Sequence, residues 1–180
     1  MSKAKRDWII ALAYVALIYL TLEVARLPLA YLRSHGMLRV SLAALFIVTV
    51  IVILAKIVGT HRFSLWRLAA VGAVFYLYYL TAGSLSTPEE QVHFFEYGLV
   101  GIFFLRALSH HLPNKPALWA SAFALASLAG WCDELLQGLT PHRHYDIHDV
   151  GLNAVSAALG LVIYLISRRP IHAENTVRLP

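Results

Sequence analysis

Side chains able to move protons or hold ions are scarce in this sequence, and those present recur at helical intervals. His93, Glu96 and Tyr97 stand at i, i+3 and i+4. Asp133 and Gln137 are four apart with Glu134 one position round, and Asp146, Asp149 and Asn153 fall at i, i+3 and i+7. On α-helices each set shares or borders one face. Imidazole beside carboxylate is the material of general acid–base chemistry, so His93 oriented by Glu96, with Glu134 and Asp149 as further acids or bases, are the candidate catalytic groups. His93, Glu134 and Asp149 also offer mixed nitrogen and oxygen donors that suit a divalent cation such as Mn, Mg or Zn. Arg143 could hold an anionic group such as a phosphate, and Tyr97, Gln137, Asp146 and Asn153 complete a candidate ligand-binding set.

Each of these residues has a plainer duty to set against the chemical one. Thr87-Pro88-Glu89-Glu90 is a good helix start, with a threonine cap, proline at the first helical position and a glutamate three residues on. Asp146, three before Asp149, is expected to cap the helix that follows. Capping does not account for His93, Glu96, Glu134, Gln137, Arg143 or Asn153, whose alternative is a network of buried hydrogen bonds and ion pairs joining helices. His142, His144 and His148 sit in a short polar loop and read as solvated. No nucleophile stands out: the single cysteine, Cys132, has no basic neighbour and reads as a small buried hydrophobe, and no serine lies in a G-x-S-x-G turn. Whether the chain is an enzyme stays open on these residues.

The elements that carry them are unusually apolar. The 180 residues are 59% hydrophobic and 14% charged, against about 25% charged in an ordinary soluble domain, which excludes a disordered chain and argues against a soluble globule. The fifteen basic residues are scattered between apolar runs and form no stripe or arm, so the net charge of +5 does not point to nucleic acid. Six runs approach the roughly 17 to 25 residues needed to cross a bilayer: 8–25, 38–58, 65–82, 92–108, 117–136 and 150–166. Each is expected to be a helix, because chain exposed to lipid must satisfy its own backbone hydrogen bonds. The first run lacks a clear small-x-small cleavage site after Leu22 and is read as a span, not a signal peptide.

The expected architecture is therefore all-α, a polytopic bundle of about six transmembrane helices in a single membrane domain, 1–180, with a polar tail from 170 to 180. Six crossings put eleven Lys and Arg on the side of the N-terminus and four on the other, so the positive-inside rule places both termini in the cytoplasm. Seven of the ten acids lie between positions 89 and 149 and gather at the opposite, outer face. Convergence of the three polar helix ends there would make an acidic, histidine-containing pocket open to the outside. Small residues at four-residue spacing, Ala122, Ala126 and Gly130 in the fifth run and Ser156 and Gly160 in the sixth, predict that these two helices pack tightly, on each other. Leu112 to Pro116, with prolines at both ends of Asn114 and Lys115, reads as a helix-to-helix turn.

Two stretches carry a resemblance. STPEEQVHFFEYG (Ser86 to Gly98) and DELLQGLTPHRHYDIHDVGLNAVSAALG (Asp133 to Gly160) resemble the VanZ-like family of small bacterial membrane proteins, named after an accessory protein of a glycopeptide-resistance cluster associated with teicoplanin tolerance. The matching positions are His93, Phe94 and Tyr97, then Glu134 and Gln137, then Arg143, Asp146, Asp149, Asn153 and Gly160. The resemblance covers 65–166 and leaves the two helices within 8–58 without a family signal. Glu90 stands where the family often has lysine, so a salt bridge from that lysine is not carried over, and Ser156 replaces a glycine common after the asparagine.

What the resemblance implies is a multi-pass protein of the bacterial cytoplasmic (inner) membrane with a functional outer face. The polar pocket would bind an envelope lipid, glycolipid or glycopeptide. The competing expectations are a membrane enzyme acting on a lipid-linked substrate, and an accessory subunit of a larger membrane complex whose partner face is the aromatic third run (Phe75, Tyr76, Tyr78, Tyr79).

Overall fold

The computed structural model describes residues 1–24, 26–59, 65–84, 88–141 and 143–167; within the helices, the side chains of 23, 26, 27, 56–59, 82–84, 88–91 and 93 also lie outside the description. All elements among the described residues are helical: α1 Lys3–Val24, α2 Arg26–Ser34, α3 Met37–Gly59, α4 Leu65–Ser84, α5 Pro88–Leu108, α6 Lys115–Leu139 and α7 Ile147–Ser167. Six of them coincide with the six apolar runs. The seventh, α2, is a short helix within what reads as the first loop of the sequence, and Pro28 falls in its first turn, where no intrahelical donor is lost.

Local chemistry sets the boundaries. α5 opens on Pro88, whose missing N–H costs nothing there; its expected cap, Thr87, lies outside the described residues. The Asn114 side chain accepts from Ala117 N at 3.2 Å and Pro116 occupies the first turn, so the proline-flanked turn does start α6. Asp146 caps α7 as expected, its Oδ1 accepting from His148 N at 2.8 Å. Gly36, between α2 and α3, adopts φ +67°, a conformation that other residues rarely take.

The helices α1, α5, α6 and α7 form the centre, and α3 and α4 pack on α5 and α7 from one side. α5 and α7 run parallel, in contact along their length. Their floor is glycine and small residues: Gly98 against Gly160, Gly101 against Ala157, and the Ser156 hydroxyl donating to the Phe94 carbonyl. The small-residue row of α7 thus faces α5, whereas α7 meets α6 through Asn153 and Gly130. The sequence expectation paired α6 with α7, which do pack; the closest backbone approach, however, is between α5 and α7.

Burial runs opposite to that of a water-soluble protein. Asp133 is 0% exposed and Glu134 1%, while Leu20 is 76%, Val40 69% and Tyr79 68% exposed. Carboxylates are almost never fully buried unless partnered. Among the described residues two helical stretches, Met37–Ala55 and Ile147–Ser167, are long and apolar enough to cross a membrane.

Candidate functional site

The last turns of α6 bring a chain of four polar groups together. Gln137 is its hinge: its amide nitrogen donates to Asp133 Oδ2 at 3.3 Å and to Glu134 Oε1 at 3.1 Å, and its carbonyl oxygen accepts from Arg143 Nη1 at 2.6 Å. One amide therefore offers its donors to two carboxylates and its acceptor to a guanidinium, and its Oε1 and Nε2 cannot be interchanged without reversing every contact. Arg143 reaches on to the Leu22 carbonyl of α1 at 3.5 Å, and Glu134 Oε2 accepts from the Asp146 backbone N at 3.4 Å, which ties the network to the start of α7.

Aromatic and amide groups close the network from the side. Tyr97 on α5 is 0% exposed; its hydroxyl donates to the Ala129 carbonyl at 3.5 Å and lies close to Asp133. The same carbonyl accepts from Tyr19 of α1 at 2.7 Å. Asn153 on α7 is buried and donates to the Gly130 carbonyl at 3.4 Å. Gly130 is required there, because a Cβ would come within 2.7 Å of the Asn153 Cβ.

The structure thus brings together Tyr97, Asp133, Glu134, Gln137, Arg143, Asp146 and Asn153. Glu96 lies one position away, half-buried and close enough for Asp133 and Arg143 to act on it electrostatically. Asp149, at the start of α7, is near Glu134 in the same sense. The His93 side chain lies outside the described residues, as do those of Glu89 and Glu90, and so does His142. His144 and His148 are exposed. Among the described residues no three His, Cys, Asp or Glu side chains come together as a metal site. The three helix ends converge as the spacing predicts, but the described side chains close on one another: the innermost carboxylates are packed, and only Arg143, Asp146, Asp149 and Glu96 remain partly or fully accessible.

Sequence spacing gave no sign of Tyr19, or of a second polar cluster at the opposite end of the bundle. There Asp7 of α1 accepts from His110 Nε2 at 2.9 Å and Arg106 Nη2 at 3.2 Å, with Arg6 Nε at 3.5 Å, and Trp8 donates to His111 Nε2 at 3.1 Å. The hydrogen bond from His110 and the fields of Arg106 and Arg6 hold the Asp7 carboxyl below its ordinary value, against the opposing effect of its desolvation. A depressed carboxylate stabilises the fold fully above its unfolded pKa and loses that contribution as pH falls through the folded one. Asp7→Asn is accordingly expected to lower the unfolding midpoint at neutral pH, with the gap to wild type closing as the solution is acidified below about pH 4. A thermal melt series from pH 7 to pH 3 reads this directly; a gap that stays constant with pH would refute it.

A family model described as VanZ/LLP1 matches residues 9–168. The match begins in α1, so the family pattern extends over the two N-terminal runs as well, beyond the 65–166 that the polar motifs mark. Comparison with curated proteins and with solved structures finds no match.

Proposed function

Because the chain belongs to the VanZ/LLP1 family, we propose that it is a multi-pass protein of the bacterial cytoplasmic membrane whose polar helix ends face outward and bind the head of a lipid-linked or glycopeptide ligand. The apolar exterior and buried carboxylates support residence in lipid, where polar side chains turn inward to partners. The eleven-to-four bias of Lys and Arg supports cytoplasmic termini, and with them an extracytoplasmic position for the α6–α7 connection. In such a position the protein would meet glycopeptides such as teicoplanin, to which the family's name is linked.

The observation that carries binding is Arg143, held by Gln137 at 2.6 Å and still half-exposed. The two contacts described occupy two of its five N–H donors. Around it Glu96, Asp146 and Asp149 supply acceptors, a set suited to the hydroxyls and amides of a sugar or peptide head. The reading as an enzyme is weaker, since Asp133 and Glu134 are engaged in hydrogen bonds within the fold.

A titration of teicoplanin and of a polyprenyl-linked glycan into the purified protein in nanodiscs tests the reading. Binding should raise the melting temperature, and Arg143→Lys, which keeps the charge but loses the fork, should weaken affinity about tenfold. If neither compound shifts the wild-type melt, the polar ends are structural only. A reporter fused within the loop around His142 should report the extracytoplasmic side; a cytoplasmic signal would overturn the sidedness.

A further inference from the structure

The end of the bundle opposite the polar site holds positive charge that its own acids do not balance. Lys3, Lys5 and Arg6 open α1, Arg106 lies in the last turn of α5 and Lys115 begins α6, and all five are exposed. Among the described residues the one acid at this end is Asp7. Its two oxygens already serve three groups: Arg106 Nη2 at 3.2 Å and Arg6 Nε at 3.5 Å meet the same Oδ1, and His110 Nε2 lies 2.9 Å from Oδ2. One carboxylate balances one guanidinium, so the arginine pair keeps a net positive charge. The first turn of α1 contains no acid, and the backbone dipole adds to that charge.

The two arginines are held in place and still open. Contact with one shared oxygen sets them side by side, yet their side chains are 43 and 50% exposed where that of Asp7 is 8%. Among the described residues their ion pairs engage only Nη2 of Arg106 and Nε of Arg6, which leaves N–H donors on both. Paired guanidiniums with spare donors suit a phosphate, whose oxygens accept several N–H bonds at once.

The level of the pair along the bundle selects the kind of phosphate. Trp8 is half-buried, with its Nε1 on His111 Nε2 at 3.1 Å, the arrangement of an amphipathic ring at a membrane–water boundary. Directly beyond it Ile9, Ile10 and Leu12 are exposed. The arginines therefore stand where the apolar exterior begins.

We infer that Arg6 and Arg106 form a binding site for the phosphate headgroup of an anionic phospholipid, whose acyl chains lie along the exposed apolar side chains of α1. A soluble phosphate ester carries the same oxygens but has nothing to set against Ile9 and Leu12. A zwitterionic lipid brings a quaternary ammonium into a region already positive. The inference rests on the proposed membrane residence and not on the head-binding role of Arg143, which lies at the other end of the bundle.

Native mass spectrometry of the full chain tests it, with the delipidated protein titrated in micelles with phosphatidylglycerol or with phosphatidylcholine of the same acyl chains. Wild type should hold one phosphatidylglycerol about tenfold more tightly than phosphatidylcholine. Arg6→Lys combined with Arg106→Lys keeps every charge but loses the forks, and should reduce the preference to about twofold or less. Arg6→Gln, at the longer of the two arginine contacts with Asp7, serves if the double variant melts far below wild type. Arg39→Gln, exposed at the opposite end, should keep the full preference. Glycerol 3-phosphate at the lipid's own concentration should displace none of it. Equal affinity of wild type for the two lipids would overturn the inference. So would an undiminished preference in the arginine variants, which means diffuse charge alone, or displacement by glycerol 3-phosphate, which means a site for a soluble ester. Teicoplanin and glycan titrations of Arg6→Gln should match wild type, so failure at this end and failure at Arg143 are distinguishable.

Discussion

Gly160→Ala should cost about 2 kcal/mol of stability, a large effect for one methyl group. A Cβ at Gly160 would collide with the Gly98 carbonyl oxygen and stand 2.7 Å from both the Gly98 C and Cα. These are backbone atoms of a helix and cannot turn aside, so α5 and α7 must separate. Separation stretches the Ser156 bond to the Phe94 carbonyl and loosens the seat of Tyr97. The reciprocal substitution makes the sharper comparison. A Cβ at Gly98 meets Ser156 at 3.5 Å, ordinary contact distance, so Gly98→Ala should be near neutral or gain slightly from alanine's helix propensity. Thermal or denaturant unfolding in a fixed detergent should show the first variant melting well below wild type and the second close to it. Equal midpoints for the two variants would refute the packing described.

Gln137→Leu is expected to be more damaging, by about 3 kcal/mol. The leucine is close in volume, so the loss is of hydrogen bonds and not of packing. Asp133 and Glu134, two carboxylates adjacent in the chain, would lose the amide that donates to both, and Arg143 would lose the acceptor 2.6 Å away. Removing one member of a buried polar network leaves the remaining groups with their full desolvation cost. Gln137→Asn keeps the amide but shortens its reach by one methylene, and should recover only part of the loss. The unfolding midpoints of wild type, Gln137→Asn and Gln137→Leu should fall in that order. If Gln137→Leu unfolds with wild type, the amide does not hold the network.

The helices were legible because continuous apolar runs of membrane-spanning length leave little choice of element. Asp146 was legible as a cap because capping is a local matter of one side chain and the N–H two or three residues on; Asn114 was legible only as part of a turn, and its cap on Ala117 N is the structure's addition. The polar site was legible for a related reason: in so apolar a chain, Glu134, Gln137, Arg143 and Asn153 are conspicuous, and helical spacing sorts them by face. What spacing cannot say is which face meets which. The rows at Gly130 and at Ser156–Gly160 marked surfaces fit for close approach, but Gly98, which with Gly101 sits among the large side chains of α5 and outside any four-residue row, is the actual counterpart of Gly160. Tyr19 looks like any aromatic in an apolar run until its hydroxyl is found on the Ala129 carbonyl 110 residues later. Burial was the other thing hidden. The same residues could have lined an open acidic pocket, and whether Asp133 faces solvent or an amide depends on distances between helices that no one helix encodes.

The contacts of α1 have a consequence for how the chain is made. Its Asp7 is held by Arg106 and His110, 99 and 103 residues downstream, and Arg143 reaches its Leu22 carbonyl from 121 residues downstream. At about 5 to 20 residues per second of synthesis, roughly 5 to 20 s pass between the emergence of Asp7 and that of Arg106. Through that interval the first helix waits, its partners not yet translated, while α2, α3 and α4 are made. The bundle is closed by the second half of the chain, and a ribosome that stops before α5 leaves α1 without the groups that hold both of its ends.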